Sequence, residues 1–386
     1  MRPILLLSGD RANFTTLTLD LDRKELSVAA NYPGPYNVSW VEPSSSQGDL
    51  DRLVGLSEGL ETGLLYTFEI DQTQKTCKIT SQQPTLGAPA HFITLQDKSA
   101  LALGTYLGGS VALYPLSITD REGLLLTDAS RTEIFPPFAY KSVGHGPNEG
   151  RQRQCHVHQI LEDKRGLLYA PDLGSDRVWI FQRDRMNLEP RWYISLSTQL
   201  LPTRLELMEP TETIMYVIGE LSHTVLAFDL PNSPAEDIQP IGGFAANIIP
   251  PSVHPEHQFM MDSSELCLHP HIPNVLYVSN RWERHIARRE PHLKNAPKEL
   301  PAGDAIAILL LSNDGKKVED MKFVRTNVDV IRGMRLSDDG QHVVVCGQEG
   351  GGIEIYGISG KRGDMWTLVT RLDEGLESGI KHAIWL

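Results

Sequence analysis

Residues 144–160 read GHGPNEGRQRQCHVHQI. A glycine-rich lead-in passes into an Arg/Gln-rich run and then into His156 and His158, two residues apart. On a strand, alternate residues face the same side, so this spacing suits a chelating pair. A zinc site needs a third and fourth ligand, however. His254, His257, His269 and His271 are far along the chain, and no sequence pattern brings them to His158. The four cysteines, Cys77, Cys155, Cys267 and Cys346, form no CxxC pair. Proton transfer is therefore the preferred chemistry, because imidazole titrates near neutrality. His158 is expected to carry it, with His156 as a supporting neighbour, and neither a metal nor a cofactor is expected.

The elements that must position these histidines recur along the chain. Seven segments have the form strand, polar turn, strand: residues 4–20, 52–70, 100–116, 167–181, 214–230, 275–287 and 342–358. Their length and turn chemistry predict β-hairpins. A further short strand precedes most of them: NVSWVE (37–42), HFITL (91–95), HVHQIL (156–161), RLELM (204–208), ELCLH (265–269) and RGMRL (332–336). The seventh of this kind, KHAIWL (381–386), ends the chain. Seven such units predict an all-β fold, a seven-bladed β-propeller of four-stranded antiparallel blades. KHAIWL would supply the innermost strand of the N-terminal blade and close the ring, making residues 1–386 one domain. A pair of β-sandwiches or a β-helix fits the sevenfold hairpin less well.

Register then gathers polar residues at one mouth of the channel. In an antiparallel pair, the start of one strand lies beside the end of the next. Arg204 and Glu220 are sixteen residues apart, as are Glu265 and Arg281, and Arg332 and Gln348. His158 occupies the matching start in the preceding unit. One mouth should thus be ringed by His158, Arg204, Glu220, Glu265, Arg281, Arg332 and Gln348. Three arginines stand out in a chain whose formal net charge is −13. Cations gathered in a narrow cavity raise the local anion concentration, and guanidinium suits carboxylate or phosphate.

Composition narrows the partners. The chain has 386 residues, 40% hydrophobic and 22% charged, an ordinary globular mixture. Its acidity argues against nucleic-acid binding. MRPILLLSGD is too short in apolar run for a secretory segment, and no run approaches a membrane span. A soluble chain in a reducing compartment, the cytoplasm, is the expectation. The segments 117–143 and 232–262 read as loops between blades, either of which could cover the mouth.

The sequence also resembles the seven-bladed lactonase propellers, a family that includes 6-phosphogluconolactonases and carboxymuconate cyclase. GHGPNEGRQRQCHVHQI is similar to its G-x-G-P-N-x-x-R-Q-x-x-P-H-x-H segment, and APDLGSDRVWIF to its V-P-D-L-G-x-D-x-V hairpin. Arg204 with VIGELSHTVLAFDL matches P-R-H…N-E-L-x-x-T-V, and VLYVSNRWERHIA matches L-Y-x-S-N-R-G. The resemblance spans essentially the whole chain. It implies His158, Arg204, Glu220 and Arg281 as active-site residues, all on the mouth that register selects. Cys155 replaces the usual proline before the first histidine, and Trp282 replaces the usual glycine. An aromatic at 282 would either meet a flatter substrate or pack between blades.

These residues are expected to act on a small carboxylate- or phosphate-bearing molecule. In a lactone hydrolase, Arg204 and Arg281 would bind acid groups or stabilise an oxyanion, and His158 or Glu220 would activate water. His156, Glu265, Arg332, Gln348 and Trp282 would contact the substrate. In the alternative cycloisomerase, a substrate carboxylate adds to a double bond held nearby. A related enzyme of a specialised pathway, or a non-catalytic propeller, uses the same cavity differently. No G-x-S-x-G elbow supports a serine nucleophile.

Overall fold

The computed structural model describes residues 4–119, 123–196, 202–207, 212–232, 238–289, 294–295 and 299–386. They form seven antiparallel sheets, the blades of a propeller. Blade one pairs the C-terminal strand Ile380–Trp385 with Ile4–Gly9, followed by Asn13–Asp20 and Glu25–Pro33. Blade two runs from Val38–Gln47 to Thr76–Leu86, and blade three begins with Pro89–Thr94. Blade four begins at Leu161–Glu162, blade five at Pro202–Leu207, blade six at Asp262–Leu268 and blade seven at Asp329–Leu336. The expected closure is present: Leu5 pairs with Trp385, Leu6 with Ile384 and Leu7 with Ala383.

Hydrophobic burial between blades holds the ring. A middle strand of a blade is covered on both faces by its neighbours, so it reads as a continuous apolar run. Val275–Arg281 and Ala305–Leu311 are buried at every position. Tyr216 and Ile218 of blade five pack with Leu266, Leu276 and Val278 of blade six in one shared cluster. Fully burying such a side chain contributes about 1.5–3 kcal/mol.

Ring closure depends on a close backbone approach. A Cβ on Gly9 would lie 2.0 Å from Gly379 O and 2.5 Å from Lys381 N. Only glycine lets the first strand meet the last there.

Four expectations change in detail. HVHQIL is a regular strand only at Leu161–Glu162, with one isolated bridge between Val157 and Asp172. The expected hairpin 275–287 stops at Arg281, where Trp282 has φ +79°, and Glu283–Arg289 is helical. Its Ile286 packs in a small cluster with Ile249, Val253 and Met261, and the third strand of blade six is Ala305–Leu311. Within 117–143, Gly123–Leu126 and Thr132–Ile134 both pair with Ser110–Thr119, completing blade three rather than forming a free loop. In 232–262, Ala246–Asn247 is the outer strand of blade five and Pro255–Met260 is a short 3-10 turn; residues 233–237 lie outside the described residues.

Candidate active site

At the end of the channel where Arg204 begins its strand, a narrow chamber of about 20 Å³ is lined by His158, Arg204, Glu220, Glu265, Arg281 and Arg332. It continues into a more open recess of about 320 Å³ that shares His158, Glu220, Glu58 and Arg332 with it, adds Tyr106 and Arg151, and has the room for a small ligand. Six of the seven ring residues read from register thus meet in one space.

Local chemistry fixes each of them. Asp172 is fully buried, and its Oδ1 accepts from His156 N at 2.7 Å and Gly174 N at 2.9 Å. Its Oδ2 accepts from Trp179 Nε1 at 3.0 Å. A Cβ on Gly174 would sit 1.7 Å from Gln154 O, so glycine there admits the segment that carries His158. Gln159 Oε1 accepts from Leu205 N at 2.7 Å, tying that segment to the strand of Arg204. Ser279 Oγ accepts from Glu265 N at 2.9 Å, and Asn280 Nδ2 donates to Ile248 O at 2.8 Å beside Arg281. A buried polar group left unpaired costs roughly 1–3 kcal/mol, so each such bond selects one arrangement.

The ion pairs divide the chamber into groups. Arg204 Nη2 donates to Glu265 Oε1 at 2.9 Å. Glu220 Oε1 accepts from Arg151 Nη2 at 3.0 Å and Arg281 Nη2 at 3.4 Å. Glu58 faces Arg332 at 3.7 Å and Lys381 at 3.0 Å. Among the described residues, no carboxylate pairs with His158. Burial, then the charges of Arg204, Arg332, Arg281 and Arg151, hold its imidazole well below the usual range, so it is neutral at pH 7. Its Nδ1 is buried without a hydrogen-bond partner.

Trp40 forms part of the chamber wall. His91 and His382 pack on it at 4.4 and 4.2 Å between ring centroids, and the Arg204 guanidinium lies 4.8 Å from its ring. Burial, with Arg204 among the charges adding to it, also holds both of these histidines well below the usual range.

Three expected residues lie elsewhere. His156 stacks on Tyr106 at 4.4 Å, with Nδ1 2.7 Å from Tyr106 O, and does not line the chamber. Trp282 donates from Nε1 to Asp262 Oδ2 at 2.8 Å and meets His285 edge-on, away from the chamber wall. Gln348 is also absent from that wall. Irregularities on either side of the Ile331–Gly347 pair break the sixteen-residue offset there.

Arg151, Tyr106, Glu58, Trp40, Lys381 and His382 escaped the sequence reading. Two left a signal. Lys381 opens KHAIWL as the second residue of the inner strand, and Glu58 follows a second strand as Glu220 does. Arg151 and Tyr106 come from loops, which the repeat alignment does not place.

Residues 8–377 match the family model "Lactonase, 7-bladed beta-propeller". The chain belongs to this lactonase family of enzymes. Among its relatives, the 6-phosphogluconolactonase of Cronobacter sakazakii is 24% identical over 305 residues, 78% of this chain and 75% of that protein. The 6-phosphogluconolactonase of Erwinia tasmaniensis is 22% identical over 326 residues, 80% of this chain and 82% of that protein. The periplasmic gluconolactonase of Pseudomonas aeruginosa superposes with a TM-score of 0.75 at 15% identity, covering 100% of this chain and 99% of that one. At that identity the likeness is one of fold.

Proposed function

We propose that the chain hydrolyses the ester bond of a small anionic lactone in the chamber. The observation that carries this reading is His158: neutral, half-buried, in a wall shared with Arg204 and Arg281. In the reaction, the chamber-facing nitrogen of the neutral imidazole accepts a proton from water as the water oxygen attacks the lactone carbonyl. The carbonyl oxygen becomes an oxyanion, stabilised by Arg204 or Arg281. As the tetrahedral centre collapses, the bond to the ring oxygen breaks, and that oxygen takes the proton from His158. The product is the open hydroxy acid.

A bound anion also raises the basicity of His158, because it offsets the guanidinium charges that depress it. The base is thus strengthened by its own substrate. Cyclisation of an unsaturated acid requires a proton donor at the carbon–carbon double bond. A histidine held neutral by burial and by four nearby arginines is poorly suited to donate, which favours hydrolysis over the cycloisomerase alternative. Glu220, with Arg151 and Arg281 both on Oε1, is assigned to placing those guanidiniums. All four cysteines are free, in keeping with a reducing compartment such as the cytoplasm.

The test is purified protein with 6-phosphogluconolactone, followed by acid release, and in parallel with 3-carboxymuconate, followed by loss of diene absorbance. Lactone turnover that Arg204→Ala abolishes supports the reading. Diene loss without lactone turnover replaces it with the cyclase, and a folded protein inert to both overturns it.

A further inference from the structure

We infer that Lys381 and Arg332, braced by Glu58, form a subsite for an acid group that the substrate carries away from its reacting carbonyl. This rests on the lactonase reading and extends it to the part of the substrate that does not react. All three side chains line the same chamber as His158 and Arg204. They come from the opposite part of the ring: Arg332 from blade seven, Lys381 from the closing strand of blade one, and Glu58 from the end of a blade-two strand.

The group is built rather than incidental. Lys381 is 8% exposed, and its Nζ donates to Asn37 Oδ1 at 2.7 Å and Glu58 Oε2 at 3.0 Å. Asn37 holds φ +59°, and its Nδ2 donates to Glu58 O at 2.9 Å. That bond fixes the amide so that its oxygen must face Lys381. An ammonium has three donors, so one remains for a ligand. Burial opposes ionisation of Glu58, yet Arg332 and Lys381 outweigh it and hold its carboxyl below the usual range.

Charge completes the argument. One carboxylate stands against two cations, leaving this side of the chamber one positive charge in excess. On the other side, Arg204 is matched by Glu265, and Glu220 is shared by Arg151 and Arg281. Among the described residues, no ion pair of these side chains joins the two sides. A ligand with an acid group at one end and a lactone at the other satisfies both. Phosphate and carboxylate fit the same donors, the first with more charge.

Calorimetric titration of the full chain tests the subsite with three open-chain acids. These are 6-phosphogluconate, with a distal phosphate; glucarate, with a distal carboxylate; and gluconate, with neither. The expected result is that at least one of the first two binds about tenfold or more tighter than gluconate, a difference of about 1.4 kcal/mol. Whichever binds tighter names the acid. Lys381→Met and Arg332→Met should each shrink that preference severalfold, with Lys381→Arg restoring part of it. Glu58→Gln should enlarge it, because the carboxylate competes with the ligand for the same donors. Should Lys381→Met not fold, as read by circular dichroism, Arg332→Met and Glu58→Gln carry the test. Equal affinity for all three acids, equal weakening of all three by the variants, or a smaller preference in Glu58→Gln overturns the subsite. Because binding needs no turnover, a retained preference in a protein inert to lactones would sink the hydrolase reading and leave the subsite standing.

Discussion

Arg204 Nη2 lies 2.9 Å from Glu265 Oε1, with side-chain exposures of only 8% and 6%. A pair buried so completely is unforgiving when one member is removed, because the remaining charge has no solvent to turn to. Glu265→Ala should lower the unfolding free energy by about 3–5 kcal/mol. Urea denaturation measures it; a loss below 1 kcal/mol would show that the guanidinium finds another partner.

The pH dependence of turnover follows from the depressed His158. Its neutral form is the working one, so kcat/KM should be flat near neutrality and fall on an acid limb below the ordinary imidazole range. Arg332 is one of the charges that depress it. Arg332→Met should therefore move the acid limb to higher pH. A limb that stays put would remove Arg332 from the electrostatics of the base.

Stability should show the same buried histidines. His91, His158 and His382 are held well below the usual range, and burial pushes His223 down to about 4. The unfolded chain binds protons at these sites below about pH 6.5 while the folded one does not. Their contribution is thus present above that pH and is lost as pH falls toward the folded values. Each group steepens the loss by up to about 1.4 kcal/mol per pH unit. Burial pushes Glu206 up to about 8 and Asp304 up to about 7, and these two work in the opposite sense. The histidine part is therefore read by comparing denaturation midpoints at pH 7.5 and 5 in the native protein and in His382→Gln. The variant should lose less on acidification, and an equal loss would contradict it.

Gly174→Ala separates position from chemistry. The added methyl meets Gln154 O at 1.7 Å, so the segment carrying His158 must shift. A stability cost of about 1–3 kcal/mol is expected, together with a fall in kcat of about 10–100-fold, since small misplacements of catalytic groups are costly. Intact kcat in the folded variant would mean that His158 is held by other contacts.

Much of this was legible because a propeller repeats itself. The apolar hairpins marked the blades, and the sixteen-residue offset brought Arg204, Glu220, Glu265 and Arg281 to one chamber, although each of the two ladders carries a single register shift near the mouth. It failed at Gln348, where the glycine-rich turn distorts the ladder. It missed Arg151 and Tyr106 because loop residues obey no repeat. The helix Glu283–Arg289 was hidden for a different reason: its seven residues are too few to show a helical period against the strand before them. Trp40, His91 and His382 looked like ordinary strand residues, and only the ring brings their three blades together.

The most direct measurement is kcat/KM of His158→Ala on 6-phosphogluconolactone, corrected for spontaneous opening and compared with the native enzyme, with circular dichroism confirming the fold. Loss of general-base assistance predicts a fall of about 10²–10⁴-fold. Native-like turnover in the folded variant would contradict the account and remove His158 from the chemistry.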